Sequence, residues 1–221
     1  MNNLNIIYED NHIIVVEKPV NMLSQSDNTK DLDLQTALKM YIKEKYHKPG
    51  NVYIGLVHRL DRPTGGLMVF ARTSKSASRL SEEIRNKSLK KSYLAVINGK
   101  TKEKDTLEDY LEKQGNISII STKEKGKYAK LDYELIAYKD NLSLVKVNLE
   151  TGRNHQIRLQ FKSRNMPLYG DNKYNNEKNK NLGLYAYKLE FTHPTKKEKM
   201  VFINYPTYSP FNKFKNLSQI D

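Results

Sequence analysis

The acidic residue Asp61 lies in a strongly basic stretch of the chain. The segment VHRLDRPTGGLMVFAR, residues 57–72, places it between Arg59 and Arg62, with His58 close by. An arginine within a few ångström favours the ionised form of a carboxyl group and lowers its pKa by about 1 to 3 units. Such a carboxylate can act as a nucleophile or stabilise positive charge. The segment predicts that Asp61 is catalytic; an ion pair at a strand end is the structural alternative.

A second cationic segment, ETGRNHQIRLQF, covers residues 150–161. Residues 153–163 have helical character, and in a helix His155 and Arg158 would lie three positions apart on one face. Arg158 could then hold a carboxylate, while Arg153 could meet a phosphate. His155 is consistent with a structural histidine and equally with a catalytic base.

The types of side chain present limit the chemistry. The sequence has no cysteine, which excludes disulfides, thiol nucleophiles, thiolate zinc sites and iron–sulfur clusters and agrees with a reducing cytoplasm. A metal site made of His58, Asp61 and His155 is disfavoured, because the neighbouring arginines supply the positive charge that a cation would provide. The reactive groups must therefore be oxygen and nitrogen groups.

Two further residues have both a packing and a binding interpretation. Tyr93 follows Lys90 and Lys91 in KKSYLAVINGK, residues 90–100. A buried strand tyrosine is the commoner case, but beside two lysines it could stack on a nucleobase. Leu189 lies in an alternating apolar pattern near the end of the chain, which by itself indicates core packing.

The charge of the chain favours a polyanionic partner. Its 221 residues include 38 Lys and Arg against 25 Asp and Glu, a net charge of +13. This excess is the electrostatic signature of nucleic-acid binding, although a lysine-rich surface can also be merely solvated. No stretch approaches the roughly 20 apolar residues of a membrane span. These features predict a soluble, cytoplasmic protein.

The apolar patterns predict an α+β fold. Two β-branched runs, Ile6 to Tyr8 and His12 to Val16, indicate a hairpin. Helices are predicted from Leu34 to Tyr46 behind an Asp33 cap, with Tyr41 and Tyr46 in the core, and after a Ser74 cap. Clustered strands from residue 92 to 149 and from 184 to 204 indicate a mixed, largely antiparallel sheet. A single domain over residues 1–221, with an exposed loop at 172–181, is expected.

The motifs together resemble those of the RluA-type RNA pseudouridine synthases. HRLDRPTGGLMVFAR is similar to the catalytic motif of that family, and TGRNHQIR follows it as in the family. YEDNHIIVVEKPVNML, KKSYLAVINGK, YGDNKY and LEFTHP occur in the family's order. The resemblance implies the pseudouridine synthase catalytic fold, a bent and largely antiparallel sheet flanked by helices and loops.

The resemblance also implies a reaction and roles for individual residues. Asp61 would attack the target uridine, at C1′ of the ribose or as a base at C2′, and Arg158 would pair with Asp61. Tyr93 would stack on the uracil, Arg59 would help to expel the base from its stack, and Leu189 would line the pocket. No metal or organic cofactor is implied. The other candidates for contacts with RNA are His58, Arg62, Lys90, Lys91, Arg153 and His155.

The expected partner is structured RNA, ribosomal or transfer, bound by a monomer. Many family members carry an S4-type RNA-binding domain ahead of the first hairpin, whereas here that hairpin begins almost at residue 1. A stand-alone catalytic domain is therefore expected. Two alternatives stay open: an inactive RNA-binding protein of the same fold, and a hydrolase with a carboxylate nucleophile, which would usually need a second carboxylate or a metal.

Overall fold

A computed structural model describes residues 4–178 and 180–220 of the chain. Within this range the strands are β1 Ile6–Glu9, β2 Ile13–Lys18, β3 Gly55–Leu56, β4 Gly65–Ala71, β5 Lys90–Asn98, β6 Lys104–Gln114, β7 Ile117–Ser121, β8 Lys127–Lys139, β9 Leu142–Leu149, β10 Leu184–Thr192 and β11 Lys199–Ile203. The helices are α1 Leu34–Lys45, α2 Ser74–Arg85, α3 Gln156–Lys162 and α4 Asn172–Asn175, followed by short 3₁₀ turns at Phe211–Lys213 and Leu217–Gln219. The predicted α+β class with a largely antiparallel sheet is confirmed.

The chain forms two compact units. The first comprises residues 1–90 and 188–204, and the second comprises 91–187 and 205–221. In the first unit β2 lies between β1 and β4, β3 also pairs with β4, and β11 pairs with the end of β10. All of these pairings are antiparallel.

The core of the first unit lies on one face of these strands. Alternate residues of β2 and β4 enter it because successive side chains of a strand point to opposite faces. The buried members are Ile13, Val15, Leu67, Val69, Ala71, Leu80, Leu89, Leu189 and Phe191. Helix α2 contributes Leu80, as its helical spacing predicts.

Both helices of the first unit begin at a side-chain cap. Asp33 caps α1 as predicted, accepting a hydrogen bond from the backbone N–H of Thr36 at 3.0 Å. Thr73 caps α2 through Ser76, at 3.1 Å, so the prediction that Ser74 is the cap was wrong by one residue. An N-cap needs extended backbone, which Thr73 has.

The predicted burial of the two α1 tyrosines was wrong for Tyr46, which is 46% exposed. Tyr41 is half-buried. Both hydroxyl groups donate to the carboxylate of Glu9, at 2.9 Å from Tyr41 and 2.6 Å from Tyr46. The two tyrosines therefore fasten the end of α1 to β1 by their polar tips.

The second unit is built on strands in the order β5, β9, β8, β6, β7, with antiparallel neighbours. One face carries Tyr93, Val147 and Tyr133 side by side, and the Tyr133 ring meets Phe161 of α3 at 5.1 Å between centroids. The other face packs on the end of the chain through Leu94, Val96, Leu142, Leu144, Tyr185, Tyr187, Phe211 and Phe214. Helix α3 therefore lies on the face that carries Tyr93.

Two expectations for the second unit need correction. The helix predicted from residue 153 begins only at Gln156, so His155 precedes it and does not share a helical face with Arg158. The predicted loop at 172–181 contains the short helix α4 and is only partly exposed; its residue 179 lies outside the described residues. In the described part of the chain, no helix has the length and apolar character that crossing a bilayer requires.

The turn between β1 and β2 contains a carboxylate with an unusually low pKa. Asp10 accepts hydrogen bonds from the backbone N–H groups of His12 and Ile13 and from Nε2 of buried His193, at 2.8, 2.9 and 2.8 Å. Burial alone would raise the pKa of Asp10, but these hydrogen bonds and one from Tyr8 lower it from 3.8 to about 2. The ionised form therefore stabilises the fold.

We expect Asp10→Asn to lower the free energy of unfolding by about 2 kcal/mol near neutral pH. A carboxylate with a lowered pKa contributes its full stability above the pKa of the unfolded chain and loses it as the pH falls through the folded pKa. The difference between wild type and variant should accordingly close between about pH 4 and about pH 2. Urea unfolding of both proteins across this range measures it; a difference independent of pH would contradict the prediction.

Candidate active site

Asp61 lies in the connection between β3 and β4. The backbone carbonyl of Asp61 accepts a hydrogen bond from Thr64 N–H at 3.0 Å, which closes a tight turn. The residue is partly exposed, whereas Leu60 before it is 5% exposed. A carboxylate that is to react must be accessible. The turn meets this requirement, because it exposes part of Asp61 while Leu60 before it stays buried.

The residue before Asp61 is held by a buried serine. Ser24 Oγ donates to the carbonyl of Leu60 at 2.8 Å and accepts from the Leu60 N–H at 3.1 Å. One hydroxyl thus satisfies both backbone groups of a residue that solvent barely reaches. Because buried backbone groups almost always have partners, this contact fixes the path of the chain into Asp61.

The residue after Asp61 is held by a buried lysine. Lys18 Nζ donates to the carbonyls of Pro19, Met22 and Arg62, at 2.9, 2.6 and 3.1 Å. Burial lowers the pKa of Lys18 to about 7, while the charge of Asp61 opposes this decrease. Three carbonyl acceptors require three N–H donors, which only the protonated amine has. In its protonated form, which predominates below about pH 7, Lys18 brings a positive charge to the turn.

We expect Ser24→Ala to lower the free energy of unfolding by about 1 to 3 kcal/mol, because it leaves the buried N–H and C=O of Leu60 without their partner. Ser26→Ala is the matched control: Ser26 is exposed in the same segment, and such changes usually stay within about 0.5 kcal/mol. Urea unfolding compares the two variants, and equal stabilities would refute this account of Leu60.

The basic residues next to Asp61 in the sequence occupy different environments. His58 is buried, and its Nε2 accepts a hydrogen bond from the Val69 N–H at 3.1 Å, so that nitrogen carries no proton. Arg62 is exposed and forms an ion pair with Asp31 at 2.7 Å. Arg59 is exposed. Of the three, only Arg59 has an exposed side chain that forms no ion pair within the described residues.

Leu189 and Lys90 are the remaining candidates in the first unit. Leu189 is 1% exposed and belongs to the core, where it pairs with Phe202 of β11. This position gives Leu189 a packing role. Lys90 begins β5 and is exposed, as a phosphate contact requires.

In the second unit, Tyr93 is 5% exposed on β5 and pairs with Val147 of β9. Lys91, two residues earlier, is half-buried, and burial lowers its pKa. A Cβ built on Gly152 would lie 3.9 Å from the Lys91 ammonium nitrogen. Lys91 therefore lies beside residues 151–153, which we call the TGR turn. It is less accessible than the sequence suggested.

Arg158 forms a buried, two-pronged ion pair within its unit. Its Nε and Nη2 donate to the two carboxylate oxygens of Asp171 at 2.9 and 2.6 Å, and the two side chains are 4% and 1% exposed. Burial alone would raise the pKa of Asp171, but the Arg158 guanidinium lowers it overall. Asp171 engages two of the five N–H donors of Arg158.

Tyr174 connects Arg158 with His155. The Arg158 guanidinium lies 5.3 Å from the centre of the Tyr174 ring, and the Tyr174 hydroxyl is 2.9 Å from His155 Nδ1. His155 itself has φ 53°, a left-handed conformation that few residues other than glycine adopt. The structure thus brings His155 and Arg158 together through Tyr174 of α4.

The remaining predicted cation, Arg153, is exposed, and its Nε donates to the Tyr128 carbonyl at 2.8 Å. This bond fastens the TGR turn to the beginning of β8. In the described ranges, 4–178 and 180–220, no group of three or more His, Cys, Asp or Glu side chains is arranged to hold a metal ion.

Comparison with known proteins identifies the family. The family model described as RNA pseudouridylate synthase matches residues 12–163, which include both the Asp61 turn and Arg158. The chain belongs to this family. The resemblance of its motifs to those of RluA-type pseudouridine synthases is thereby confirmed.

Members of the pseudouridine synthase family from several bacteria are similar to this chain. Ribosomal large subunit pseudouridine synthase C of Rickettsia bellii is 36% identical over 78% of the chain and 57% of the relative. Synthase D of Neisseria meningitidis is 32% identical over 90% and 57%. An uncharacterized RNA pseudouridine synthase of Aquifex aeolicus is 33% identical over 90% and 68%. The chain spans 57% to 65% of the length of the first three curated relatives.

Solved structures in the pseudouridine synthase family share the fold. Human RNA pseudouridylate synthase domain containing 4 superposes with a TM-score of 0.78 at 18% identity, covering 91% of this chain and 88% of that one. Domain containing 1 gives 0.76 at 23%, covering 94% and 85%.

Sequence reasoning missed the residues that hold the candidate catalytic groups. Ser24 and Lys18 act on backbone atoms of residues 60 and 62, and such contacts leave no mark in a sequence pattern. Asp171 could have been found, because YGDNKY was among the motifs and contains the carboxylate that Arg158 binds.

Proposed function

We propose that the chain isomerises uridine to pseudouridine in RNA and that Asp61 carries the reaction. The observation that supports this most is the turn that presents a partly exposed Asp61 while Ser24 and Lys18 hold the residues on either side. A fixed backbone keeps the carboxylate in one orientation toward a bound nucleotide, and such positioning accounts for much of enzymatic rate enhancement.

The reaction needs a nucleophile or a general base, and it needs a site that retains the detached uracil. The bond from ribose C1′ to uracil N1 breaks, and the uracil leaves with the bonding electrons. The ring then turns and C5 forms a bond to C1′; C5 loses a proton and N1 gains one, so the product is an isomer. Asp61 would either attack C1′ and form an ester whose bond to C1′ breaks when C5 bonds there, or take a proton from C2′ that returns to C2′ when C5 bonds to C1′. A base inside a helix is inaccessible, so the uridine must first be flipped out.

The other candidates receive roles from the family resemblance. Arg158 would pair with Asp61, Tyr93 would stack on the uracil, and Arg59 would take the place of the flipped base. The exposed position of Arg59 supports its role. Lining of the uridine pocket by Leu189, and RNA contacts by His58, Arg62, Lys90, Lys91, Arg153 and His155, complete the proposal.

We propose ribosomal RNA as the substrate. Similar proteins of Rickettsia bellii and Neisseria meningitidis bear the name ribosomal large subunit pseudouridine synthase, and the net charge of +13 favours a polyanion. With this substrate we also propose that residues 1–221 form one catalytic domain, which acts as a monomer in the cytoplasm.

Pseudouridine maps of total RNA test the proposal. They should be compared between cells that make the protein and cells that lack its gene, with the gene restored as a control. Loss of one or a few pseudouridines from large-subunit ribosomal RNA is the expected result. Loss from transfer RNA alone would keep the reaction and overturn the substrate. An unchanged map would favour the inactive RNA-binding alternative.

A further inference from the structure

The turn between β7 and β8 gathers exposed positive charge. Lys123, Lys125 and Lys127 are exposed on or beside it, and the turn is ordered: Gly126 N–H donates to the Thr122 carbonyl at 2.8 Å. A Cβ on Gly126 would come within 2.9 Å of the Tyr110 backbone, so only glycine allows the turn to pack so closely on β6. The three lysines therefore project from a fixed support.

Arg153 belongs to the same surface. Its hydrogen bond to the Tyr128 carbonyl places the TGR turn against the first residues of β8. Tyr128 is 38% exposed and contacts Tyr110, with 5.8 Å between ring centroids. Four cations and an exposed aromatic ring thus lie around one end of β8. We call the residues Lys123, Lys125, Lys127 and Arg153 the β8 cluster.

Several other lysines of the same unit form ion pairs with acids of the protein, whereas in the described part of the chain the members of the β8 cluster do not. Lys102 pairs with Asp105 at 2.9 Å, Lys104 with Glu134 at 3.0 Å and Lys130 with Glu150 at 3.1 Å. Within the described residues, no ion pair joins any member of the β8 cluster to an acid. A concentration of unpaired cations on an ordered surface attracts anions that come from outside the protein.

We propose that the β8 cluster binds backbone phosphates of the RNA substrate; this inference rests on the proposed function. Arg153 belongs to the segment that leads directly into α3 and Arg158, so phosphates bound here would position RNA relative to that helix. A flat anionic bilayer fits less well, because Glu108, Glu124 and Glu150 are exposed on the same part of the unit and would be pressed against it. A single RNA strand can pass between such acids.

Salt-dependent RNA binding by a triple variant tests the β8 cluster. Each phosphate contact contributes about 1 to the slope of log affinity against log salt concentration. We expect K123Q/K125Q/K127Q to lower the magnitude of that slope by about 2 to 3 and to weaken binding roughly tenfold or more at low salt. The probe is the ribosomal RNA fragment that contains the modified uridine, or total large-subunit RNA, titrated between about 50 and 200 mM salt.

The matched control is K102Q/K104Q/K199Q, which removes the same charge from lysines that pair with acids of the protein. It should leave the slope close to the wild-type value, since these lysines already have acidic partners in the protein. Equal affinities and slopes for the two triple variants would overturn the inference. So would a triple variant that loses binding only to phosphatidylcholine vesicles containing about 30% phosphatidylserine while its RNA affinity stays at the wild-type value. A wild type that binds RNA without forming pseudouridine would instead refute the proposed function, and the binding comparison would still decide on the cluster.

Discussion

Asp61→Asn is expected to abolish isomerisation and to leave RNA binding nearly unchanged. Asparagine has almost the same shape, and the contacts of Ser24 and Lys18 are made to the backbone of neighbouring residues, so the turn should persist. The amide can neither attack the ribose nor accept a proton as the carboxylate does. Removing a catalytic nucleophile commonly costs roughly 10⁴-fold or more in rate.

Asp31→Asn is the control for Asp61→Asn. Asp31 is exposed and pairs with Arg62 of the same turn, so its substitution changes a similar charge nearby and should leave the rate within about twofold, since exposed ion pairs contribute little. Pseudouridine formed per enzyme, together with RNA affinity, is measured for both variants. Pseudouridine formation by Asp61→Asn at a rate comparable with Asp31→Asn would remove Asp61 from the mechanism.

Asp171→Ala is expected to produce the largest loss of stability among the changes considered. It removes the two oxygens through which Asp171 binds a buried guanidinium. Removing one partner of a buried ion pair costs about 3 to 5 kcal/mol, because the charge that stays buried loses a compensating charge. Asp171 also accepts the N–H groups of Lys173 and Tyr174 at the start of α4, so α4 should loosen as well.

Asp31→Ala provides the comparison for Asp171→Ala, since it breaks an exposed arginine–aspartate pair and should cost no more than about 1 kcal/mol. The double variant Asp171→Ala, Arg158→Met removes both buried charges and should recover part of the loss. Urea unfolding measures all three proteins. If Asp171→Ala lowered the free energy of unfolding no more than Asp31→Ala, the ion pair between Arg158 and Asp171 would not stabilise the second unit as described.

The parts of the fold that follow local rules could be predicted from the sequence. Helix α1 behind its Asp33 cap was predicted nearly to the residue, because periodicity and caps are local signals. The beginning of α3 was not predicted correctly. The Gln156 side-chain oxygen accepts hydrogen bonds from the Arg153 N–H and the Thr151 hydroxyl, each at 2.9 Å, and holds the preceding residues out of the helix. Such a side-chain contact overrides helical spacing.

The candidate site could be predicted only in its reactive groups. Asp61, Tyr93 and Arg158 stand in recognisable motifs, but the residues that hold them come from other elements. Ser24 meets Leu60 across 36 positions, and Asp171 meets Arg158 across 13. Folding brings these pairs together; Asp171 at least stands in a recognisable motif, whereas nothing in the sequence pattern indicates the contact between Ser24 and Leu60.

The most direct test of the central claim uses the purified chain and large-subunit ribosomal RNA that carries tritium at C5 of its uridines. Bond formation between C5 and C1′ expels the C5 hydrogen, so each pseudouridine releases one tritium to water. We predict tritium release in step with pseudouridine formation, without free uracil and without added metal or cofactor. RNA that is bound but keeps its tritium, or that yields free uracil in place of pseudouridine, would contradict the assignment of this chain as a uridine isomerase.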